Sequence, residues 1–247
     1  PSRDGRRRRL EVHIDFAFLR RSDSDVLAKL VVLKTLPSRA MRAWVVPDKG
    51  IGDGNAADRV YAGIKELGLR PPYIVKCDGE PAAEALREQL ISRAGEGVVP
   101  QSPPVGESQS NGVVENWIRL LQGMIRTHVL ALEANINARI PAGHPILAWL
   151  AEAVGDMVSK HLRGRDGRTA FERRSGKPLR EEGLEIGEKV LWKRPKAPST
   201  NTLRECRWEE GIWLGRRWGG TVHLIGVGAE AVETRAVQRR PKADRGD

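Results

Sequence analysis

The sequence predicts an α/β fold built around a mixed sheet, followed by a small all-β unit. Between residues 10 and 162, three strand-like segments precede segments that alternate between helical and strand-like patterns, which is typical of a mixed sheet with helices on its faces. From about Leu184, the segments are short, strand-like and separated by Gly and Pro. The predicted boundaries are a basic tail at 1–9, the α/β domain at 10–162, a basic linker at 163–183, the β domain at 184–240 and a tail at 241–247.

The first predicted strand carries the first candidate site residue. Residues 10–18 alternate, with apolar side chains on one face and Glu11, His13 and Asp15 on the other. Taken alone, Asp15 is best interpreted as a solvated side chain on an edge strand, because Asp is uncommon inside strands and common at surfaces. It becomes a site residue only in combination with residues further along the chain.

A second aspartate follows a later strand of the same domain. Asp78 and Gly79 end the apolar run at 72–77, and the carboxyl end of a strand is the edge at which open α/β sheets usually bind ligands. The other predicted elements of this domain are strands at 26–35, 40–46 and 98–99, and helices at 56–67, 81–92 and 144–162.

A helix with a polar approach is predicted between Gly106 and Arg126. Ser110 and Asn111 are N-cap candidates, and Glu115 falls in or near the first turn, off the apolar stripe. Arg119 lies one turn further on the same face, with Gln122 beyond it. The apolar stripe itself consists of Val114, Trp117, Ile118, Leu121, Met124 and Ile125.

The charge of the chain favours a polyanionic partner. The formal net charge is +10 and the pI is about 10, so nucleic acid is the first candidate, although a merely soluble basic surface would show the same balance. Residues 1–9 carry five arginines and are interpreted as a linker rather than as a phosphate-contacting arm. Cys77 and Cys206 form no metal-binding or disulfide pattern, which favours a reducing, intracellular environment.

No membrane segment or signal peptide is expected. The sequence has no apolar run of 18 residues, and no apolar stretch follows the charged N-terminus. Since the chain starts at Pro1 without a Met, we expect it to be a piece of a longer polypeptide.

The segment SQSNGVVENWIR resembles the one that carries the last catalytic carboxylate in integrases of retroviruses and retrotransposons. That family has two aspartates and a glutamate, with about 35 residues between the second and the third. Here Asp15 and Asp78 precede Glu115 in the expected order, and 36 residues separate Asp78 from Glu115. The resemblance implies a ribonuclease H-like fold with a mixed five-stranded sheet. Glu107 is a rival for the third carboxylate, but it precedes the helix.

The resemblance also implies a metal-dependent reaction. Asp15, Asp78 and Glu115 would be both catalytic residues and ligands of two Mg²⁺ or Mn²⁺ ions, which suit carboxylate oxygens. Three crowded carboxylates would repel one another without a cation, so metal binding should strengthen as pH rises.

The C-terminal part extends the resemblance. GRTAFERRSGKPL is similar to a segment that follows the integrase core, and Thr169 is a candidate cap of a short helix there. The β domain is similar to the SH3-like DNA-binding domain of integrases, and its tryptophans are interpreted as core rather than as base-stacking platforms. The predicted DNA-binding residues are Ser110, Asn111, Gly112, Arg119, Gln122, Lys193, Arg194, Arg216 and Arg217.

By resemblance, the expected function is 3′-end processing and strand transfer of element DNA into target DNA. The expected partners are double-stranded DNA and further copies of the chain, and the expected location is the nucleus of a host cell. Two alternatives remain: a related metal-dependent nuclease, and a catalytically inactive relic that only binds DNA. The zinc-binding N-terminal domain common in the family has no counterpart in this sequence.

Overall fold

The computed structural model describes residues 9–22, 24–47, 55–101, 112–179, 183–194, 207–218, 220–228 and 230–240. The chain divides into two compact units. The first comprises residues up to Thr127 together with Ile140–Leu179, and the second comprises His128–Arg139 and the residues from Arg180 onward. Within the described ranges, none of the helices combines the length and the apolarity that crossing a bilayer requires.

The first unit contains the predicted mixed five-stranded sheet, in the order β3-β2-β1-β4-β5. The first three strands pair antiparallel, whereas β4 pairs parallel to β1 and β5 parallel to β4. This topology confirms the predicted ribonuclease H-like fold class. The strands are β1 Glu11–Arg20, β2 Val26–Leu36, β3 Met41–Val46, β4 Tyr73–Lys76 and β5 Val98–Gln101.

Five helices accompany the sheet: α1 Asn55–Glu66, α2 Pro81–Ala94, α3 Gly112–Ile136, α4 Pro145–His161 and α5 Ala170–Ser175. Two glycines allow close helix–sheet packing. A Cβ at Gly63 of α1 would overlap the indole of Trp44 on β3, and one at Gly155 of α4 would lie 3.2 Å from the backbone nitrogen of Ala43. On α4, the buried Ser159 hydroxyl accepts a hydrogen bond from the Met41 N–H (2.7 Å) and donates one to the Met41 carbonyl (2.9 Å).

Strand β1 is more deeply covered than its alternating pattern predicts. His13 and Ala17, on the predicted polar face, are buried, as are Val12 and Ile14 on the apolar face. Tertiary packing causes the difference, because α3 lies against this part of the sheet. The Gln122 amide of α3 donates a 2.8 Å hydrogen bond to the Phe18 carbonyl of β1.

The segment at 163–179 packs as part of the first unit, although its composition suggested a linker. Thr169 caps α5 as expected, and it forms a full capping box with Glu172. Arg173 forms an ion pair with Asp166 and donates to the Ser38 carbonyl at 3.2 Å. These contacts tie the segment to the β2–β3 turn.

The second unit contains a five-stranded antiparallel sheet, in the order β10-β6-β7-β8-β9. The sheet fits the predicted SH3-like domain. Its buried core includes Val190, Trp192 and Ile225, and Trp213 packs against them, which agrees with the interpretation of these tryptophans as core. The strands are β6 Lys189–Lys193, β7 Trp208–Arg216, β8 His223–Val227, β9 Glu230–Thr234 and β10 Val237–Arg239.

Candidate active site and nucleic-acid surface

The pairing of β1 with β4 brings Asp15 and Asp78 to the same edge of the sheet. The strands run parallel, and their last paired residues are His13 and Lys76. Asp15 and Asp78 each lie two residues beyond this last pair, at the end where the two parallel strands stop pairing. Neither the spacing nor the composition of the sequence could give this register.

Each aspartate is oriented by a backbone donor. The Phe16 N–H donates to Asp15 Oδ1 at 2.7 Å, and the Glu80 N–H donates to Asp78 Oδ1 at 3.3 Å. The second bond forms a turn between β4 and α2, whose first residue is Pro81. Both carboxylates are half-buried. Both side chains are therefore held in place by the packed sheet and are not freely mobile in solvent.

The buried thiol of Cys77 directly precedes Asp78. Burial is the main cause that raises its pKa to about 11, and the carboxylates of Asp78, Glu84 and Asp15 add to the rise, while Arg87 opposes it. Such a raised pKa keeps Cys77 protonated and unreactive near neutral pH.

The start of α3 lies over the same sheet face. Lys34 of β2 is paired with His13 of β1, and alternation puts both on the face that carries Asp15. The Nζ atom of Lys34 lies 3.6 Å from the ring centroid of Trp117, in the second turn of α3. Glu115 lies two residues before Trp117 in the same stretch of α3, and its side chain projects about 200° around the helix axis from that of Trp117.

Glu115 itself is 56% exposed and lies 3.9 Å from Arg119 on the next turn. Gly112 begins α3, whereas Ser110 and Asn111 lie outside the described residues. In the described ranges, no group of three or more His, Cys, Asp or Glu side chains is arranged to hold a metal ion. The roles of Asp15, Asp78 and Glu115 as catalytic residues and metal ligands stay predictions.

The residues present suit a hard divalent cation. Asp15 and Asp78 offer carboxylate oxygens, the donors that Mg²⁺ prefers, and a cation would relieve the repulsion between two neighbouring anions. Cys77 is a protonated thiol at neutral pH and is a poor ligand for such an ion. The donor set therefore favours Mg²⁺ or Mn²⁺ over Zn²⁺.

A polar group next to the aspartates was not singled out by the sequence. Glu11 Oε2 lies 3.0 Å from both His13 Nε2 and Lys76 Nζ. Burial opposes the ionisation of Glu11, but the bonds from Lys76 and His13 outweigh it and lower the pKa of Glu11. Burial also lowers the pKa of His13, and the lysines Lys76 and Lys34 act in the same direction. His13 is therefore neutral at physiological pH.

In the second unit, three cations border one groove of about 400 Å³. Lys193 and Arg194 were predicted from the sequence, and Arg235 joins them from the turn after β9. Arg194 is mostly exposed and forms a 2.5 Å ion pair with Glu209. The groove also includes Glu233, whose Oε1 atom accepts a 2.6 Å bond from Arg217 Nε, and a mixed remainder of Val222, Thr234 and Ala236.

Arg216 has a different setting from Arg217, although both were predicted to contact DNA. Its Nη2 atom lies 3.2 Å from His223 Nε2, and the other ring nitrogen of His223 accepts a 3.0 Å bond from the indole N–H of Trp213. Arg216 is half-buried, whereas Arg217 is exposed. Of the two, Arg217 is the more accessible to a phosphate.

Comparisons with known proteins give neighbours only among solved structures. No family model and no curated protein matches the chain. The catalytic core domain of BIV integrase is 18% identical with a TM-score of 0.45, over 67% of this chain and 93% of that one. The HTLV-2 integrase catalytic core in complex with magnesium, in a trimeric form, is 13% identical with a TM-score of 0.49, over 66% of this chain and 95% of that one.

A chain of the simian T-cell lymphotropic virus intasome, solved in complex with PP2A regulatory subunit B56 gamma, matches over more of the sequence. It is 14% identical with a TM-score of 0.45, over 94% of this chain and 81% of that one. At identities this low, the function of the chain has to be inferred from its own residues.

Proposed function

We propose that this chain is an integrase-like polynucleotidyl transferase of a retroelement, which processes the 3′ ends of element DNA and joins them to target DNA. The observation that carries the proposal is the β1–β4 register. The last parallel pair, His13 with Lys76, comes two residues before each aspartate, and Trp117 of α3 packs against Lys34 of the same sheet, which supports a shared site. The order Asp, Asp, Glu along the chain supports it.

Asp15, Asp78 and Glu115 would together hold two Mg²⁺ or Mn²⁺ ions. When bound, such ions activate the attacking oxygen and neutralise charge on the leaving oxygen of a phosphodiester. The attacking group is water in end processing and the 3′-hydroxyl of the processed end in strand transfer. The chain's own contribution is to orient the two aspartates, through the Phe16 and Glu80 backbone donors.

The cations of the two units would bind the DNA backbone. Arg119 is 74% exposed one turn from Glu115, which suits a phosphate contact next to the site. Ser110, Asn111 and Gly112 would meet the DNA from the approach to α3. The Gln122 amide already bonds to Phe18, so its contribution to DNA binding would be through the position of α3.

In the second unit, Lys193, Arg194, Arg217 and Arg235 would make the phosphate contacts, with Arg216 behind them. Arg194 and Arg217 are in exposed ion pairs, and such pairs contribute only about 0–1 kcal/mol each. Arg194 and Arg217 can therefore leave Glu209 and Glu233 and bind a DNA phosphate at a small cost in free energy. The net charge of +10 would draw DNA to this surface.

The assembly and location follow from the same proposal. One structural neighbour is an intasome chain and another is described as a trimeric form, and we infer that this chain also acts as a multimer on paired DNA ends. Joining to chromosomal DNA requires access to the host nucleus. The source would be the polyprotein of a retrotransposon or retrovirus.

A second candidate function is DNA binding without catalysis. The observation that favours it is that no group of three metal-binding side chains is found among the described residues. In that case the fold and the basic surface are retained, and the carboxylates no longer serve a reaction.

The deciding experiment is a strand-transfer assay with short duplex DNA that mimics element ends, in Mg²⁺ or Mn²⁺. The Glu115→Gln variant is compared with Glu84→Gln, which makes the same chemical change on α2, near Cys77 but outside the proposed site. Products that disappear only in Glu115→Gln support an active integrase. Salt-sensitive DNA binding with no products from any of the three proteins supports the non-catalytic module.

A further inference from the structure

Lys34 is a buried lysine in the middle of the sheet. Its side chain is 1% exposed, and its neighbours on the same face of β2, Val32 and Leu36, are apolar. In the described part of the chain, no carboxylate forms an ion pair with Lys34, and its ammonium group lies over the ring of Trp117. Burial, with a smaller contribution from Arg39, lowers the pKa of Lys34 to about 7.

Such a residue is costly to retain for packing alone. Burying an ammonium group without a carboxylate disfavours folding, and an apolar residue of similar length would fill the same space without that cost. The aromatic face of Trp117 offsets part of the cost, because a cation held over an indole in a desolvated site is attracted by the ring quadrupole. The contact therefore joins the centre of the sheet to one particular turn of α3.

The turn of α3 that contains Trp117 lies next to Glu115, the proposed third carboxylate. Trp117 lies two residues after Glu115 and two before Arg119, and the helix begins at Gly112. The first turn of a helix lacks internal partners for its N–H groups and frays easily. Glu115 is mostly exposed, with only a 3.9 Å contact to Arg119. Its position relative to Asp15 and Asp78 therefore depends on what holds the next turn.

We propose that Lys34 is a positioning residue, which holds the ring of Trp117 and thereby fixes the Glu115 turn of α3 over the sheet face that carries Asp15 and Asp78. The inference rests on the proposed function for its consequence in catalysis. The contact between Lys34 and Trp117 can be tested without it.

Removal of the Lys34 cation should have two effects that can be measured separately, one on the mobility of α3 and one on the reaction. Loss of the cation should let the start of α3 open more often, because the ring loses its partner, while the rest of the sheet keeps its packing. Metal binding should weaken about tenfold, which is the scale of a desolvated cation–π contact. The turnover rate should fall with it, and KM for DNA should change little, because the cations at the groove of the second unit are unchanged.

The experiment uses the full chain with Lys34→Met, which removes the charge and keeps the length, and Lys34→Arg, which restores a cation. Hydrogen exchange is measured at residues 116–120 without metal, and Mn²⁺ binding is measured by calorimetry. Faster exchange and about tenfold weaker Mn²⁺ binding in Lys34→Met, both recovered in Lys34→Arg, support the proposal. Unchanged exchange in a folded Lys34→Met protein overturns it.

Two further variants keep the test decisive if Lys34→Met or Lys34→Arg does not fold. Trp117→Phe keeps an aromatic face, whereas Trp117→Leu does not, so exchange should be close to wild type in the first and faster in the second. Equal exchange in both would contradict the role of the ring. If the wild-type chain binds no Mn²⁺, the proposed function fails, and the exchange experiment alone decides the position of α3.

Discussion

The two units differ in how deeply they bury cations, although the first unit also carries exposed ion pairs such as that of Arg119 with Glu115. The first unit buries Lys34, Arg42, Arg87 and Lys160, and it pairs Arg42 with Glu66 and Asp156 across three elements. The second unit exposes its cations in surface ion pairs, such as those of Arg194 with Glu209 and Arg217 with Glu233.

The difference fits two kinds of task. Removal of one partner from a buried charged network is costly, since the other charge stays desolvated, whereas an exposed pair contributes little. A site that must hold carboxylates within a fraction of an ångström needs the rigid surroundings that a buried charged network provides. A surface that exchanges acidic side chains for phosphates needs exposed pairs. We therefore expect steep effects from substitutions in the first unit and graded effects in the second.

The sharpest test of this contrast is replacement of an aspartate at the sheet edge. Asp15→Asn or Asp78→Asn should lower strand transfer about a thousandfold, equivalent to about 4 kcal/mol of transition-state stabilisation, because an amide supplies no charge to a metal. DNA affinity in a filter-binding or anisotropy assay should change less than about twofold, since the phosphate contacts remain. A parallel fall in DNA affinity would mean that the aspartates act in folding or binding instead.

Replacement of the buried lysine should change the pH dependence of stability. The folded-state pKa of Lys34 is about 7, below its ordinary value of 10.5. Between these values the unfolded chain binds a proton that the folded chain does not, so stability rises with pH across this window. Below pH 7 the full cost of the buried charge is present.

Lys34→Met should therefore be more stable than the wild type at pH 6, by up to about 5 kcal/mol, and should lose the rise between pH 7 and 10.5. Urea unfolding at several pH values measures this effect. The exposed Lys65→Met variant is the control and should reproduce the wild-type curve. An identical curve for Lys34→Met would show that the lysine is solvated in solution.

The capping box of α5 tests how firmly the segment at 163–179 belongs to the first unit. Thr169→Ala removes the bond to the Glu172 N–H and should destabilise the first unit by about 1 kcal/mol. Hydrogen exchange should show the loss in residues 140–179 and not in β6–β8. The control is Thr127→Ala, whose hydroxyl bonds only to the Gly123 carbonyl on an exposed helix face. Equal losses in the two variants would argue against a special role for the box.

The smallest effect is expected at the groove of the second unit. Lys193→Ala should weaken DNA binding a few-fold and lower the salt slope by about 1, because one phosphate contact is lost. Lys189→Ala, on the same strand but outside the groove, is the matched control. A salt titration of binding compares them. Equal slopes in the two variants would move the DNA surface away from this groove.

The periodicity of apolar residues predicted most of the helices and strands of this chain. The run from Val26 and the run from Met41 form β2 and β3 close to their predicted bounds, and the apolar stripe of α3 is buried at Leu121 and Ile125. The residue type at position 169 also predicted the N-cap of α5, because threonine is a preferred capping residue. The burial of the polar face of β1 could not be predicted in this way, since it depends on packing against α3, which starts about a hundred residues later.

The sequence by itself determined the fold class, the order of its elements and the three candidate carboxylates, because side-chain alternation, capping residues and spacing are local properties. Only the tertiary structure decided that the strands before Asp15 and Asp78 pair in parallel, that Lys34 faces Trp117, and that Arg235 joins Lys193 and Arg194 at one groove. Strand register and helix docking depend on how distant segments pack, and a lysine within an apolar strand gives no local sign of the ring that it meets.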